Sequence, residues 1–246
     1  MLQQKVVIIT GASSGIGEAT AYAFAKQGAK LMLAARNVQE LQRVQQQCVS
    51  QFHAEVQIMP CDVSQLKDCE QLIQQTLQHF HAIDVLINNA GISMRALFNQ
   101  CEVEVIEQLM QVNFWGTVYC TKYALPHLLK NNGSVVAVSS VAGMVGLPAR
   151  TGYSASKFAV EGFMQSLRTE NLKNNLHVGV IYPGYTASNI RNKALNSEGK
   201  VQQESPLNEA KLMPAAEVAE AIVQMVLKRQ RSKVLTLIGR VSKWIN

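Results

Sequence analysis

Short runs of β-branched residues alternate with helical stretches along most of the chain, and this alternation constrains the fold more than any other feature. Most runs are continuously apolar, which is typical of strands buried on both faces of a parallel sheet. The predicted strands are Lys5–Thr10, Lys30–Ala35, Glu55–Met59, Val85–Asn88, Ser134–Ser139, His177–Tyr182 and Val234–Leu237, and the predicted helices cover residues 15–27, 38–50, 64–80, 103–129, 153–172 and 215–229. Such alternation indicates repeated βαβ units with right-handed crossovers.

The pattern predicts an α/β fold, a doubly wound Rossmann-type parallel sheet of about seven strands with helices on both faces. The chain has 246 residues, 48% of them hydrophobic, which suits a single large domain over residues 1–246. Residues 187–213 are polar and long for a loop, and they follow the sixth strand at its carboxyl end. We therefore expect a substrate-binding lid there.

Composition argues against several other classes of protein. No apolar run approaches the roughly 20 residues of a membrane-spanning helix, and the N-terminus lacks the layout of a signal peptide, so a cytoplasmic location is expected. The five cysteines are odd in number and show no C-x-x-C spacing. A disulfide framework and a zinc site are therefore both disfavoured, and we expect free thiols and no metal.

The net charge of +6 comes entirely from the C-terminal end of the chain. All 17 acidic residues lie at or before Glu220, whereas residues 228–246 hold six basic residues and no acid. A nucleic-acid binder would show a basic face drawn from several elements and a reader motif, so no nucleic-acid partner is expected. The basic C-terminal segment 228–246 is expected to be a solvated edge, with contact to an anionic membrane surface as the alternative.

A glycine-rich turn, Thr10-Gly11-Ala12-Ser13-Ser14-Gly15-Ile16-Gly17, joins the first predicted strand to the first predicted helix. Its glycines let the backbone turn sharply and approach a ligand closely. The helix that follows presents unpaired N–H groups and the positive end of its dipole. The segment indicates a pyrophosphate site, with a ligand-free turn as the alternative.

The end of the second strand indicates which dinucleotide is bound. An acidic residue there normally accepts hydrogen bonds from the ribose hydroxyls of NAD. Here the strand ends Leu33-Ala34-Ala35-Arg36-Asn37, without an acid. Arg36 offers a charged donor fork to a 2′-phosphate, which favours NADP(H) over NAD(H). The alternative is that Arg36 merely marks the strand end on the surface.

Tyr153 and Lys157 are four residues apart at the start of a predicted helix, so both side chains lie on one face. When a hydride reaches a carbonyl carbon, a proton must follow to the oxygen, and a phenol can give it. The ordinary pKa of a phenol is about 10, and a nearby ammonium group would lower it. The spacing of Tyr153 and Lys157 alone is a weak signal, but other polar residues are predicted to lie near it.

Polar residues also end two of the neighbouring predicted strands. Ser139 and Ser140 lie at the end of the fifth strand, where the hydroxyl of Ser140 is placed to hold a substrate oxygen. The segment Asn88-Asn89-Ala90-Gly91 ends the fourth strand at the same edge. Asn113 lies inside a long predicted helix among apolar neighbours, where an asparagine is often just a satisfied polar group.

Together these motifs resemble the short-chain dehydrogenase/reductase family, of the common single-domain type. They follow the family's order: TGASSGIG at 10–17, Asp62-Val63, NNAG at 88–91, Asn113, Ser140, YSASK at 153–157 and Pro183-Gly184. The resemblance covers nearly the whole chain, from Thr10 to about Val234. It implies an NADP(H)-dependent oxidoreductase that transfers a hydride between the nicotinamide and a carbonyl or secondary alcohol carbon.

The resemblance also implies a role for each member of a catalytic tetrad. Tyr153 would be the acid/base, and Ser140 would orient the substrate oxygen. Lys157 would bind the nicotinamide ribose and lower the phenol pKa, while Asn113 would hold a water in a proton relay. The implied cofactor-binding residues are Gly11, Ser13, Ser14, Gly15, Ile16, Gly17, Arg36, Asp62, Val63, Asn89, Ala90, Gly91, Tyr153, Lys157, Pro183, Gly184, Thr186 and Ser188.

Within this set, the resemblance places Asp62 against the adenine amine and Asn89 along the ribose. Two positions depart from the family's pattern. Ser14 stands where NADP(H)-binding members often carry a basic residue, so the cofactor preference rests on Arg36. Ser188 stands where threonine commonly holds the nicotinamide amide, and serine can make the same hydrogen bond.

The substrate pocket is expected to be apolar. Residues of Ile92–Phe98, Val141–Leu147 and Tyr185–Leu195 are the candidate lining, which suggests a lipophilic carbonyl substrate. The predicted helices 103–129 and 153–172 look like the family's dimer-forming pair, which implies a homodimer or homotetramer. A non-catalytic NADP(H)-binding regulator or scaffold is the alternative function, since a fold alone does not establish an activity.

Overall fold

The computed structural model describes residues 2–202 and 212–236. Seven parallel strands form one sheet in the order β3-β2-β1-β4-β5-β6-β7. The strands are β1 (Val6–Thr10), β2 (Lys30–Ala35), β3 (Val56–Pro60), β4 (Val85–Asn88), β5 (Ser134–Val138), β6 (His177–Tyr182) and β7 (Ser232–Val234). The helices are α1 (Gly15–Lys26), α2 (Val38–Phe52), α3 (Leu66–Phe80), α4 (Val103–Leu109), α5 (Gly116–Lys130), α6 (Thr151–Glu170) and α7 (Ala215–Leu227). The predicted doubly wound sheet is confirmed.

Two apolar layers cover the sheet, one on each face. Successive residues of β1 enter opposite layers: Val7 and Ile9 pack with α1 and α7, and Val6 and Ile8 pack with α3, α5 and α6. Because both faces are buried, the strand has no need of polar residues on either side. This explains the continuous apolar runs seen in the sequence.

The strand order reverses direction between β1 and β4, which are neighbours in the sheet. From β1 the chain winds outward to β2 and β3, and then returns to place β4 on the other side of β1. In open sheets of this kind the crevice at such a switch point, beyond the carboxyl ends of the strands, receives ligands. The fold thus brings the glycine-rich turn after β1 next to the NNAG segment after β4.

Two predicted elements differ from the structure. The last strand was placed at Val234–Leu237, whereas β7 is Ser232–Val234 and residue 237 lies outside the described residues. The strand starts earlier because it pairs with the end of β6, with Val180 opposite Ser232. The predicted helix 103–129 is α4 and α5 joined by a π-helical turn, Met110–Trp115, which carries Asn113.

The two segments singled out for length and charge are described only in part. Residues 187–202 of the predicted lid pack against the rest of the chain, and Leu195 is buried and forms bridges to Met94 and Val201. Residues 203–211 of that lid, and residues 237–246 of the basic C-terminal segment, lie outside the described residues. No helix in the described part is long and apolar enough to cross a membrane.

Candidate active site

The glycine-rich turn after β1 packs so closely that two of its glycines have no room for a side chain. A Cβ on Gly17 would lie 2.2 Å from the carbonyl oxygen of Gly11 and 2.5 Å from Nδ2 of Asn89. Gly11 has a φ of +65° and would bring a Cβ to 2.8 Å from the Cα of Ala90. These glycines therefore hold the start of α1 directly against the ends of β1 and β4.

The N-terminus of α1 is open toward the crevice. Ser14 is its N-cap residue, yet its side chain makes no capping hydrogen bond. The first amides of the helix therefore remain available to an anion. A cavity of about 590 Å³ lies beside them, lined by Ser13, Ser14, Gly15, Glu18, Asn37, Glu40, Arg43, Ala187, Ser188, Asn189, Asn192 and Lys193.

Thr10 holds this turn to the NNAG segment, a role that the sequence analysis missed. Its Oγ1 accepts hydrogen bonds from the backbone N–H groups of Asn89 and Ala90, both at 3.1 Å. The Asn89 side chain in turn donates to the carbonyl oxygens of Thr10 (2.9 Å) and Gly11 (3.2 Å). Asn89, predicted to line the ribose, thus also braces the loop. The sequence signal for this role is the hydroxyl of Thr10 at the end of an otherwise apolar, buried strand.

Arg36 and Asp62 lie together in a second cavity, of about 360 Å³, at the ends of β2 and β3. The Arg36 side chain is exposed, and no salt bridge pairs it with a carboxylate in the described part of the chain. Asp62 is held by Ser64, whose N–H and hydroxyl donate to its Oδ1 at 3.0 and 2.7 Å. Val63 is buried and packs against Gly116.

Tyr153 lies in the first turn of α6, with its ring among the apolar side chains of Met94, Leu109 and Leu195. Burial raises the pKa of Tyr153 above its ordinary value of 10. A hydrogen bond with Ser140 and the positive charge of Arg150 act in the opposite direction, without reversing the net rise. Ser140 and Tyr153, 13 residues apart in sequence, are therefore direct neighbours in space.

Lys157 lies one turn further along α6, with Nζ 5.9 Å from the centroid of the Tyr153 ring. The side chain is buried, and Nζ donates to the carbonyl oxygen of Val138 at 3.0 Å. Burial lowers the pKa of Lys157 to about 8. The sequence predicts that Lys157 lowers the pKa of Tyr153, and the hydrogen bond with Ser140 and the charge of Arg150 act in the same direction.

Asn113 is buried in the π-helical turn and joins three parts of the site. Its Oδ1 accepts from the backbone N–H of Ile92 at 2.8 Å, and its Nδ2 donates to the Ile92 carbonyl at 3.0 Å and to Ser156 Oγ at 2.9 Å. A Cβ on Gly91 would lie 3.1 Å from Asn113 Oδ1 and 3.5 Å from Lys157 Nζ. The side chains of Asn113 and Lys157 therefore both lie against Gly91.

The segment after β6 closes the site on the side of the predicted lid. Pro183 accepts a hydrogen bond from the backbone N–H of Val141, and Thr186 Oγ1 donates to the carbonyl of Gly184 at 3.1 Å. The Ser188 side chain reaches the phosphate turn, since a Cβ on Gly15 would lie 3.0 Å from its Cβ. The residues predicted after β6 are thus brought to the crevice.

Arg150, which the sequence analysis did not single out, is the N-cap residue of α6. Its Nη1 donates to Ser93 Oγ and to the Met94 carbonyl oxygen, both at 2.6 Å. No local pattern signals this contact, because the partners lie more than 50 positions away in the chain.

The cysteines and other metal-ligating side chains form no metal site within residues 2–202 and 212–236. All five cysteines are free, as predicted, and four of them are buried. No group of three or more His, Cys, Asp or Glu side chains in those ranges is placed to hold a metal ion.

Residues 5–199 match the family model of the short chain dehydrogenases. The chain belongs to this family of oxidoreductases, as its motifs predicted. It is similar to 11-beta-hydroxysteroid dehydrogenase A from Arachis hypogaea, with 40% identity over 92% of this chain and 67% of that protein. It is also similar to a dehydrogenase/reductase SDR family protein 7-like from Drosophila melanogaster, with 36% identity over 93% of this chain and 72% of that protein.

Solved structures of the same fold extend the comparison. An alcohol dehydrogenase from Thermococcus sibiricus, complexed with 5-hydroxy-NADP, matches with a TM-score of 0.83 at 27% identity over 96% of each chain. A levodione reductase matches with a TM-score of 0.86 at 26% identity, over 98% of this chain and 99% of that one.

Proposed function

We propose that this protein is an NADP(H)-dependent oxidoreductase that interconverts a carbonyl and a secondary alcohol on a lipophilic substrate. The observation that carries the proposal is the convergence of Ser140, Tyr153 and Lys157 beside Gly91 and the open end of α1. The names of its relatives, an alcohol dehydrogenase and hydroxysteroid dehydrogenases, are consistent with this reaction class.

The residues present fit a bound dinucleotide. Gly11 and Gly17 have no space for a side chain, and the α1 amides have no side-chain cap, so the pyrophosphate would be held at this turn. Asp62 and Val63 would hold the adenine, Lys157 the nicotinamide ribose, and Ser188 the nicotinamide amide. A bound nicotinamide supplies or accepts the hydride.

The protein's own groups handle the proton and the substrate oxygen. Ser140 and Tyr153 both donate to the carbonyl oxygen, which orients it and stabilises the negative charge that develops there. Tyr153 then transfers its phenolic proton to that oxygen. Lys157 stabilises the resulting phenolate, and a relay that includes Asn113 returns a proton from solvent. In the oxidative direction the same groups act in reverse.

The direct test measures NADPH oxidation with a panel of aldehydes, ketones and quinones. We expect turnover with at least one lipophilic carbonyl. Binding of NADPH with no turnover across a broad panel would favour the alternative of a cofactor-binding regulator. The site argues against that alternative, because each residue of the tetrad is present and placed within the same crevice.

Replacing Arg36 with Asp should reverse the cofactor preference. The change removes a charged hydrogen-bond donor from the 2′-phosphate and puts a carboxylate where NAD-binding sites carry one. We expect NADPH to bind at least about 10- to 100-fold more weakly, which corresponds to the roughly 1.5–3 kcal/mol of a charge-assisted hydrogen bond. NADH affinity, measured in the same fluorescence titration, should hold or improve. An equal loss for both cofactors would show that Arg36 has no selective role.

The proposal includes a homodimer or homotetramer built on α4–α5 and α6. Trp115, in the π-helical turn between α4 and α5, and Phe158, on α6, are 41% and 46% exposed, although both are large aromatic residues. Phe114 packs edge-on against Trp115 and Phe163, which extends the aromatic surface across both helices. Light scattering should give at least twice the 27.1 kDa chain mass, and a stable monomer would contradict this.

Two further parts of the proposal concern the surroundings of the enzyme. A cytoplasmic location and the absence of a nucleic-acid partner remain predictions from the sequence. Contact between the basic segment 228–246 and a membrane surface is the less favoured alternative. Co-sedimentation with anionic vesicles that disappears when this segment is neutralised would support that contact.

A further inference from the structure

Residues 93–95, which follow the NNAG segment, form a wall of the site beside Tyr153. Hydrogen bonds hold this wall from two sides. On one side, the backbone of this wall pairs with the predicted lid: Leu195 N–H donates to the Ser93 carbonyl at 2.9 Å, and Arg95 N–H donates to the Leu195 carbonyl at 2.8 Å. On the other side, Arg150 donates to Ser93 Oγ and to the Met94 carbonyl. Ser93 and Met94 are both buried, so this wall lies inside the molecule.

Arg150 is an unusual residue for such a clamp because it brings a positive charge to the catalytic helix. It precedes Tyr153 by three residues and caps the same helix end. Its side chain is partly buried, and no salt bridge in the described part of the chain pairs it with a carboxylate. A partly buried charge without an opposite partner is costly, so its presence calls for a compensating role.

We propose that Arg150 is a positioning residue of this site: its two hydrogen bonds fix the Ser93–Met94 segment, whose Met94 belongs to the apolar cluster around Tyr153, to the catalytic helix, and its guanidinium brings a fixed positive charge to the end of the helix that carries Tyr153. The inference rests on the proposed function in taking Tyr153 as the acid/base. It adds a cation that is fixed by two hydrogen bonds and that carries its charge at any working pH. For Lys157, by contrast, burial lowers the pKa of the ammonium group to about 8.

Several groups act on this pair, and each is held constant in the test below. Ser140 and Arg150 lower the pKa of Tyr153, and burial among apolar side chains raises it. The Nζ atom of Lys157 lies 5.9 Å from the centroid of the Tyr153 ring. The charges that act on Arg150 itself are those of Tyr153, Tyr185, Arg95 and Arg191.

The test separates the charge of Arg150 from its hydrogen bonds by three substitutions. Arg150→Met removes both, Arg150→Lys keeps the charge with a different geometry, and Ser93→Ala removes one hydrogen bond and keeps the charge. Arg168→Met is the matched control, since Arg168 lies on the same helix and also bonds backbone carbonyls, those of Val178 and Arg231, at the opposite end of the helix.

The first readout needs no turnover. Ultraviolet difference titration of the ligand-free protein, with Tyr153→Phe in the same background subtracted, follows ionisation of the Tyr153 phenol. We expect Arg150→Met to raise the Tyr153 pKa by about one pH unit, the effect of losing a nearby opposite charge. Arg150→Lys should shift it by less than half as much, and Ser93→Ala and Arg168→Met should leave it in place.

The second readout is steady-state kinetics on the best substrate. Ser93→Ala and Arg150→Lys should raise KM several-fold with a smaller change in kcat, because the wall loosens while the charge remains. Arg150→Met should in addition shift the pH profile of kcat/KM to higher pH. Should Arg150→Met fail to fold, Arg150→Gln, which keeps a donor for the Met94 carbonyl, takes its place.

A Tyr153 titration that is the same with and without the Arg150 charge would overturn the proposal, whatever the kinetics show. If the titration shifts as expected but no substrate turns over, the inference about Arg150 stands and the proposed oxidoreductase activity fails. The two failures are therefore distinguishable.

Discussion

Replacing Tyr153 with Phe should lower kcat/KM by about 10²–10⁴-fold, the usual contribution of a positioned general acid or base. The substitution removes only the hydroxyl and keeps the ring, which packs with Met94, Leu109 and Leu195. The fold and the cofactor site should therefore survive. Parallel measurements of turnover, NADPH affinity and thermal unfolding check the prediction, and only turnover should collapse.

The matched control is Tyr22→Phe, which removes a phenol hydroxyl that is not part of the tetrad. The part-buried Tyr22 hydroxyl donates to Glu18 of α1 and to Gln47 of α2, and in the described residues it makes no hydrogen bond with the tetrad. Its loss should leave kcat/KM within about threefold of wild type, as is usual for a substitution away from the reacting groups. A Tyr153→Phe variant that keeps activity within tenfold of wild type would remove this phenol from the mechanism.

The direction of the Tyr153 pKa shift also predicts how activity depends on pH. An ordinary phenol is protonated at neutral pH, the form that donates a proton to a carbonyl oxygen, and burial raises the pKa of Tyr153 further above neutrality. Carbonyl reduction should therefore run at full rate around neutral pH and decline as the pH rises through the Tyr153 pKa. Alcohol oxidation needs the phenolate and should rise over the same range.

Replacing Gly17 with Ala should destabilise the protein by at least about 3 kcal/mol, which is the upper range for overpacking a rigid site. The new methyl group would meet the Gly11 carbonyl at 2.2 Å and the Asn89 amide at 2.5 Å. Those two groups are hydrogen-bonded to each other, so neither can move away freely. Relief requires α1 to shift away from β1, which would also open the pyrophosphate site.

Gly162→Ala is the matched control for this substitution. Gly162 lies on the exposed face of α6, one turn from Phe158 of the proposed subunit interface, and a Cβ there would meet nothing of its own chain within 4 Å. Alanine has the higher helix propensity, so this variant should be neutral or stabilised by up to about 1 kcal/mol. Urea unfolding compares the two variants, and NADPH titration should show a loss of affinity for Gly17→Ala alone. Equal stability of the two would refute the close packing of α1.

The sequence was sufficient for the elements of the fold, and it indicated most of the residues that meet at the candidate site. Continuous apolar runs predict strands buried on both faces, and six of the seven predicted strands agree with the structure to within one residue at each end. The glycines, Ser140, Tyr153 and Lys157 follow from local chemistry, because each is placed by the strand end or helix start that precedes it. Such features depend on neighbours in the chain, which the sequence displays directly.

Other features depend on contacts between distant residues, and these were decided only by the tertiary structure. The π-helical turn at Asn113 exists together with the bonds of Asn113 to Ile92 and Ser156, and β7 starts where β6 offers it a partner. The contact of Arg150 with Ser93 joins residues 57 positions apart. No local pattern distinguishes Arg150 from an arginine on the surface, because its role comes from what the folded chain places beside it.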